Sequence, residues 1–129
     1  MTNFVLGARS RFRLNGVHPD LKRVVKRAIQ ISEVDFTVLE GTRTMARQRE
    51  LVAKGASKTL RSRHLTGHAV DLAPWIDGQV SWDWPPYYKI EAAMKQAAKE
   101  EGVPVEWGGD WTSFKDGPHW QLPWKEYPR

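Results

Sequence analysis

The 129-residue sequence predicts an α+β fold, with helices packed on a small, mostly antiparallel sheet. Three observations lead there. Apolar residues recur at helical spacing in stretches bounded by helix start and stop signals. Short runs of strand length lie between those stretches. No repeat, linker or low-complexity segment divides the chain, so residues 1–129 read as a single domain.

The elements follow in chain order. His18-Pro19-Asp20 opens a helix, because proline and aspartate both suit a first turn. Leu21, Val24, Val25, Ala28 and Ile29 then fall on one face, and Lys22, Arg23, Lys26 and Arg27 on the other. Residues 35–42 read as a strand with Phe36 and Val38 on one side. A second helix covers Met45 to Lys54 and stops at Gly55, a residue suited to the left-handed position after a helix. A polar, basic loop, 56–63, comes next. Residues 68–73 alternate as a strand, and Asp77-Gly78 is a hairpin turn before Val80. A third helix spans Pro86 to Glu101, turning Ile90, Ala93, Met94 and Ala97 inward and ending at Gly102. Residues 103–107 and 119–122 are the last two strand candidates.

Composition narrows the functional classes. With 40% hydrophobic and 27% charged residues the chain is globular rather than disordered. It contains no cysteine, which removes every thiolate metal site and every cysteine nucleophile. Met1 to Arg13 lacks the apolar core of a signal peptide, and no segment reaches membrane-spanning length. A substrate outside the cytoplasm would then require another agent to carry the protein to it. The net charge of +5 is uneven: residues 1–65 carry 14 Lys and Arg against 5 Asp and Glu, and residues 66–129 carry 6 against 10. A basic half suits solvated helix faces, anionic envelope polymers or nucleic acid. No recognised nucleic-acid motif accompanies it.

The chemistry concentrates in Ser62-Arg63-His64-Leu65-Thr66-Gly67-His68-Ala69-Val70-Asp71 and in Asp116-Gly117-Pro118-His119. Two imidazoles and a carboxylate, from His64, His119 and Asp71, make a three-ligand zinc site whose fourth position stays open for water. His64 and Asp71 cannot share a helical face, since Gly67 interrupts the segment, but a bend at Gly67 followed by a strand can aim both at one point. His68 forms an i, i+4 pair with His64, as in helical zinc sites. The helical reading fails because Gly67 sits inside the turn, so His68 is expected to be a neighbour rather than a ligand.

The first run matches Ser-x-His-x-x-Gly-x-Ala-x-Asp at every fixed position and resembles the zinc peptidases of bacterial cell walls. That family includes D-alanyl-D-alanine carboxypeptidases, dipeptidases and phage L-alanyl-D-glutamate endopeptidases. Its second half-motif, an acid three residues before a histidine, corresponds to Asp116 and His119. The resemblance implies one zinc per chain on His64, Asp71 and His119, with Asp116 as general base; the plainer reading of Asp116 is a turn cap before glycine. It implies that Arg43, in Gly41-Thr42-Arg43-Thr44, holds a substrate carboxylate or the developing oxyanion, unless it is an ordinary surface arginine. Ser62 is implied to bind substrate, with Gln48 a weaker candidate on the same rim. Asp110, in Trp107-Gly108-Gly109-Asp110-Trp111, is a candidate to orient a ligand imidazole, or else it stabilises a glycine turn. Trp75, Trp82 and Trp84 either pack the core or line a cleft.

The compact form looks like the phage endolysins that cut the L-Ala–D-Glu bond of peptidoglycan stem peptides, and it suits a phage of Gram-negative hosts. Such a protein would be a monomer, made in the host cytoplasm and acting on the wall after release. A D-alanyl-D-alanine carboxypeptidase or dipeptidase is the alternative within the class. A non-catalytic basic binding protein is the alternative outside it.

Overall fold

The computed structural model describes residues 4–57 and 59–128. Four helices, α1 (Ala8–Arg13), α2 (Pro19–Ile31), α3 (Met45–Ala53) and α4 (Trp84–Glu101), accompany five strands. The strands are β1 (Phe36–Glu40), β2 (Ala69–Ile76), β3 (Gln79–Val80), β4 (Glu106–Trp107) and β5 (His119–Gln121). The sheet order is β1-β2-β5-β4, with β3 paired to β2, and every pairing is antiparallel. The α+β expectation therefore holds.

Local chemistry accounts for the boundaries. His18 caps α2: its Nδ1 accepts the Asp20 amide at 3.0 Å while Pro19 fills the first turn, where no amide is needed. All five apolar positions expected on that helix are buried. They pack against Tyr87, Ile90, Ala93, Met94 and Ala97 of α4. The opposite face of α2 reaches acids of the second half, through Arg23–Glu101 at 3.3 Å and Arg27–Glu100 at 2.7 Å. Part of the charge asymmetry is thus answered within the molecule.

Several elements differ from expectation; the strand expected over 103–107, for one, is only Glu106–Trp107. Helix α1 lacks a side-chain cap and a long apolar stripe, yet Ser10 and Arg13 satisfy the edge of β1 by bonding Val38 N–H and Val38 C=O. Helix α4 starts two residues earlier than expected, because Pro85 and Pro86 are acceptable in a first turn. Strand β2 runs through Pro74 to Ile76, beyond the part paired with β5, where a missing amide costs no bond on that side. Asp77 and Gly78, with φ of 54° and 79°, make the hairpin turn.

Period two along β2 and β5 then sorts the side chains. Val70, Leu72 and Trp120 are fully buried in the core beneath α2 and α4. Asp71, His119 and Gln121, at the alternate positions, meet on the other face. Among the described residues, no helix is long and apolar enough to cross a membrane.

Candidate active site

Each fixed residue of the Ser-x-His-x-x-Gly-x-Ala-x-Asp run has a local task. The Ser62 hydroxyl accepts the His64 amide at 3.2 Å and caps a 3-10 turn, Arg63–Thr66. Gly67 ends that turn at φ 76°, and a Cβ there would lie 2.3 Å from the Gly16 carbonyl oxygen, so only glycine fits. The chain then enters β2, where Ala69 faces Gln121 across the strand pair and Asp71 faces His119. A histidine from a turn and an aspartate from a strand thereby converge despite their odd spacing.

The structure brings His64, Asp71 and His119 together, with potential ligand atoms within 4.8 Å of one another. His64 Nε2 and His119 Nδ1 each lie 3.2 Å from the same Asp71 oxygen, Oδ1. The far nitrogens are both engaged. His64 Nδ1–H donates to the Gly41 carbonyl at 2.7 Å, and His119 Nε2–H donates to Gln121 Oε1 at 2.8 Å. Those bonds select opposite tautomers and turn both lone pairs toward the carboxylate. Three acceptor atoms aimed at one point repel unless a cation or proton lies among them, and the donor set fits a divalent metal. Protons on the two rings can also fill that role: burial pushes the Asp71 carboxyl up, but hydrogen bonds from protonated His119 and His64 outweigh this and hold it well below the usual range. Burial pushes His119 down, yet Asp71 and Gln121 leave its affinity for a proton raised.

Asp116 lies beside this group on a separately braced turn. Its amide donates to the Gly108 carbonyl at 3.0 Å, and its own carbonyl accepts the His119 amide at 3.2 Å. A Cβ on Gly108 would come within 2.4 Å of the Asp116 carbonyl oxygen, so the close approach requires glycine. Trp107 Nε1–H donates to the Gly117 carbonyl at 2.7 Å, and the Trp107 ring stacks on Trp120. Burial, reinforced by the Asp71 charge, raises the Asp116 carboxyl above its ordinary value. A raised carboxyl beside a group that could hold a cation is suited to taking and returning a proton.

Arg43, Gln48 and Ser62 form one network. The Arg43 guanidinium donates to Glu40 through Nε and Nη2, and through Nη1 to Gln48 Oε1 at 2.7 Å and Ser62 Oγ at 3.4 Å. Gln48 is fully buried and donates onward to Ser57 and Thr59. It positions Arg43 instead of lining a substrate rim, contrary to expectation, because its place on the inner face of α3 leaves no path to solvent. Asp110 also departs from expectation: it is exposed, pairs with Lys95 at 2.9 Å and meets neither imidazole of the triad. The Gly41 carbonyl and Gln121 do that work. A backbone carbonyl carries no sequence signal, but Gln121 was detectable as the residue two positions beyond His119 on one strand face.

His68 is half-buried beside His18 and bonds Thr66, apart from the triad. Of the three tryptophans left open, Trp82 is exposed, Trp75 lines a different groove, and Trp84 packs against Tyr87 and Trp107 behind the Asp116 turn. The triad and Asp116 open into a cleft of about 820 Å³, also lined by Arg43, Arg61, Lys115, Trp111 and Trp124.

The sheet and its two flanking turns thus bring two imidazoles, the carboxylate between them and a second, raised carboxylate to one cleft, a donor set that could hold a divalent cation. Comparison with known proteins narrows the class. The model of the phage L-alanyl-D-glutamate peptidase family matches residues 2–121. The L-alanyl-D-glutamate peptidase of Escherichia phage T5 is 36% identical over 118 residues, covering 88% of this chain and 86% of its own length. That of Listeria phage A118 is 33% identical over 123 residues, but this chain spans only 43% of it. The crystal structure of the Serratia marcescens L-Ala D-Glu endopeptidase ChiX superposes with a TM-score of 0.92 at 55% identity, covering 97% of this chain and 95% of that one. The chain belongs to the phage L-alanyl-D-glutamate peptidase family.

Proposed function

We propose that this protein is a zinc-dependent endopeptidase that hydrolyses the L-Ala–D-Glu bond of peptidoglycan stem peptides and serves in lysis of the bacterial host. Membership of the family supports the bond, and the convergence of three metal-ligand atoms beside Asp116 supports the mechanism; this convergence is the observation that carries it. His64 Nε2, Asp71 and His119 Nδ1 would hold one zinc ion per chain. When bound, zinc supplies Lewis acidity, polarising a carbonyl and lowering the pKa of water to about 7. Asp116 takes the proton of the attacking water and returns it to the departing amine. Arg43, held by Glu40, Gln48 and Ser62, sets a fixed positive charge at the cleft to steady developing anionic charge. The Gly41 carbonyl and Gln121 keep both imidazoles in the ligating tautomer.

The test pairs elemental analysis with one substitution. Purified protein should contain one zinc per chain, and Asp116→Asn should keep the metal and the thermal midpoint while peptidoglycan hydrolysis falls about 10²–10⁴-fold. A variant that retains more than about a tenth of parental activity lies outside that range and removes Asp116 from the mechanism. Loss of zinc in the same variant would instead make Asp116 a ligand.

A further inference from the structure

A peptide bond to D-glutamate brings a second carboxylate with it. Glutamate has two carboxyl groups, the onward chain uses one, and the other stays ionised near neutral pH. A cleft that takes this group partly out of water must offer it a cation, because an unpaired charge is costly to desolvate. Most of the cations along this cleft are already engaged. Arg43, tied to Glu40, Gln48 and Ser62, is already assigned to the charge that develops at the scissile carbonyl. Arg47 pairs with Glu50 at 3.0 Å. Arg63 is buried and bonds the carbonyls of Leu122, Pro123 and Tyr127.

Arg61 and Lys115 remain. Both are exposed, both line the cleft, and neither pairs with a carboxylate among the described residues. Two different segments carry them. Arg61 lies three residues before the ligand His64, and Lys115 immediately precedes Asp116, so they approach the reacting bond from the segments that deliver its chemistry. Their surroundings differ. The Arg61 guanidinium lies 5.4 Å from the centroid of the Trp124 ring, within cation–π range, an attraction that leaves its N–H groups able to meet a ligand. Phe114 adopts a left-handed φ of 53°, a turn after which Lys115 also lines the cleft.

Resting on the peptidase reading above, we infer that Arg61 and Lys115 are the specificity-determining cations of this cleft and bind the free carboxylates of an acidic stem peptide, foremost the one D-glutamate keeps beside the scissile bond. The substrate class narrows accordingly. Peptides with that carboxylate free are favoured over peptides in which it is a primary amide. The amide has the same shape, but it has no charge to offer and sets its own N–H donors against those of the protein.

Two synthetic peptides, identical except that this carboxylate is free in one and a primary amide in the other, test the inference with zinc-loaded protein. The parent should favour the free acid by about tenfold or more in kcat/KM, chiefly through KM. In the double variant Arg61→Gln, Lys115→Gln the ratio should fall toward one, whereas Arg61→Lys with Lys115→Arg, which keeps both charges, should retain a preference for the acid. Raising salt should reduce the parent's ratio, a measurement that stands even if a variant proves unstable. A parental ratio near one, or a ratio undiminished in the double glutamine variant, would overturn the inference and leave the peptidase reading intact. Failure of the parent to cut either peptide or peptidoglycan would overturn both.

Discussion

Replacing Gln121 should loosen the metal without touching a ligand. Its Oε1 accepts from His119 Nε2 at 2.8 Å, and the side chain is only 8% exposed, so water cannot readily take its place. Gln121→Leu preserves much of the volume but strands the imidazole N–H and frees His119 to adopt the tautomer that points a proton at Asp71. Loss of such an orienting partner typically weakens metal binding about 10–100-fold. That corresponds to about 1.4–2.7 kcal/mol, the same scale as the roughly 1–3 kcal/mol cost of one buried unsatisfied donor. The assay is titration of metal-free protein with zinc against a competing chromophoric chelator at fixed pH. One site should remain, with its dissociation constant raised by that factor, while Gln121→Glu, which keeps an acceptor, stays within a few-fold of the parent. An unchanged dissociation constant in Gln121→Leu would refute the argument that Gln121 sets the His119 tautomer.

Two further outcomes follow from the packing. Gly108→Ala forces a Cβ to within 2.4 Å of the Asp116 carbonyl oxygen, so the turn must shift. Overpacking of this kind costs about 1–3 kcal/mol, and if Asp116 is the proposed base, activity should fall further than the drop in thermal midpoint accounts for, because its carboxylate moves. Tyr127→Phe removes the hydroxyl that donates to Asp20 at 2.7 Å, the first cause of that carboxyl's lowered pKa, ahead of Arg23. A carboxyl lowered in the folded state stabilises above its unfolded value of 3.8 and loses that contribution as pH falls toward its folded value. The thermal midpoint of Tyr127→Phe should therefore trail the parent at pH 7 and approach it as the pH is lowered below that value.

Legibility in the sequence tracked how local the physics was. Helix α2 was readable because its apolar stripe, its first-turn proline and its cap all lie within a few residues. The Ser62–Asp71 run was readable because capping, a left-handed glycine and strand entry are consecutive tasks imposed on fixed positions. Helix α1 was not, since Ser10 and Arg13 are ordered by Val38, 28 and 25 residues away. The surroundings of Gln48 and Asp110 were not legible either, since burial on α3 and the ion pair with Lys95 settle where they point. Gln121 escaped notice because it belongs to no motif of its own, although period two along β5 places it on the same face as His119.

The bond that is cut tests the central claim most directly. Purified peptidoglycan digested by the zinc-loaded protein should yield, by mass spectrometry, stem peptides with a new D-glutamate amino terminus and glycan-linked fragments ending in L-alanine. Release of D-alanine or of D-alanyl-D-alanine in their place, or no new terminus at all, would contradict the account.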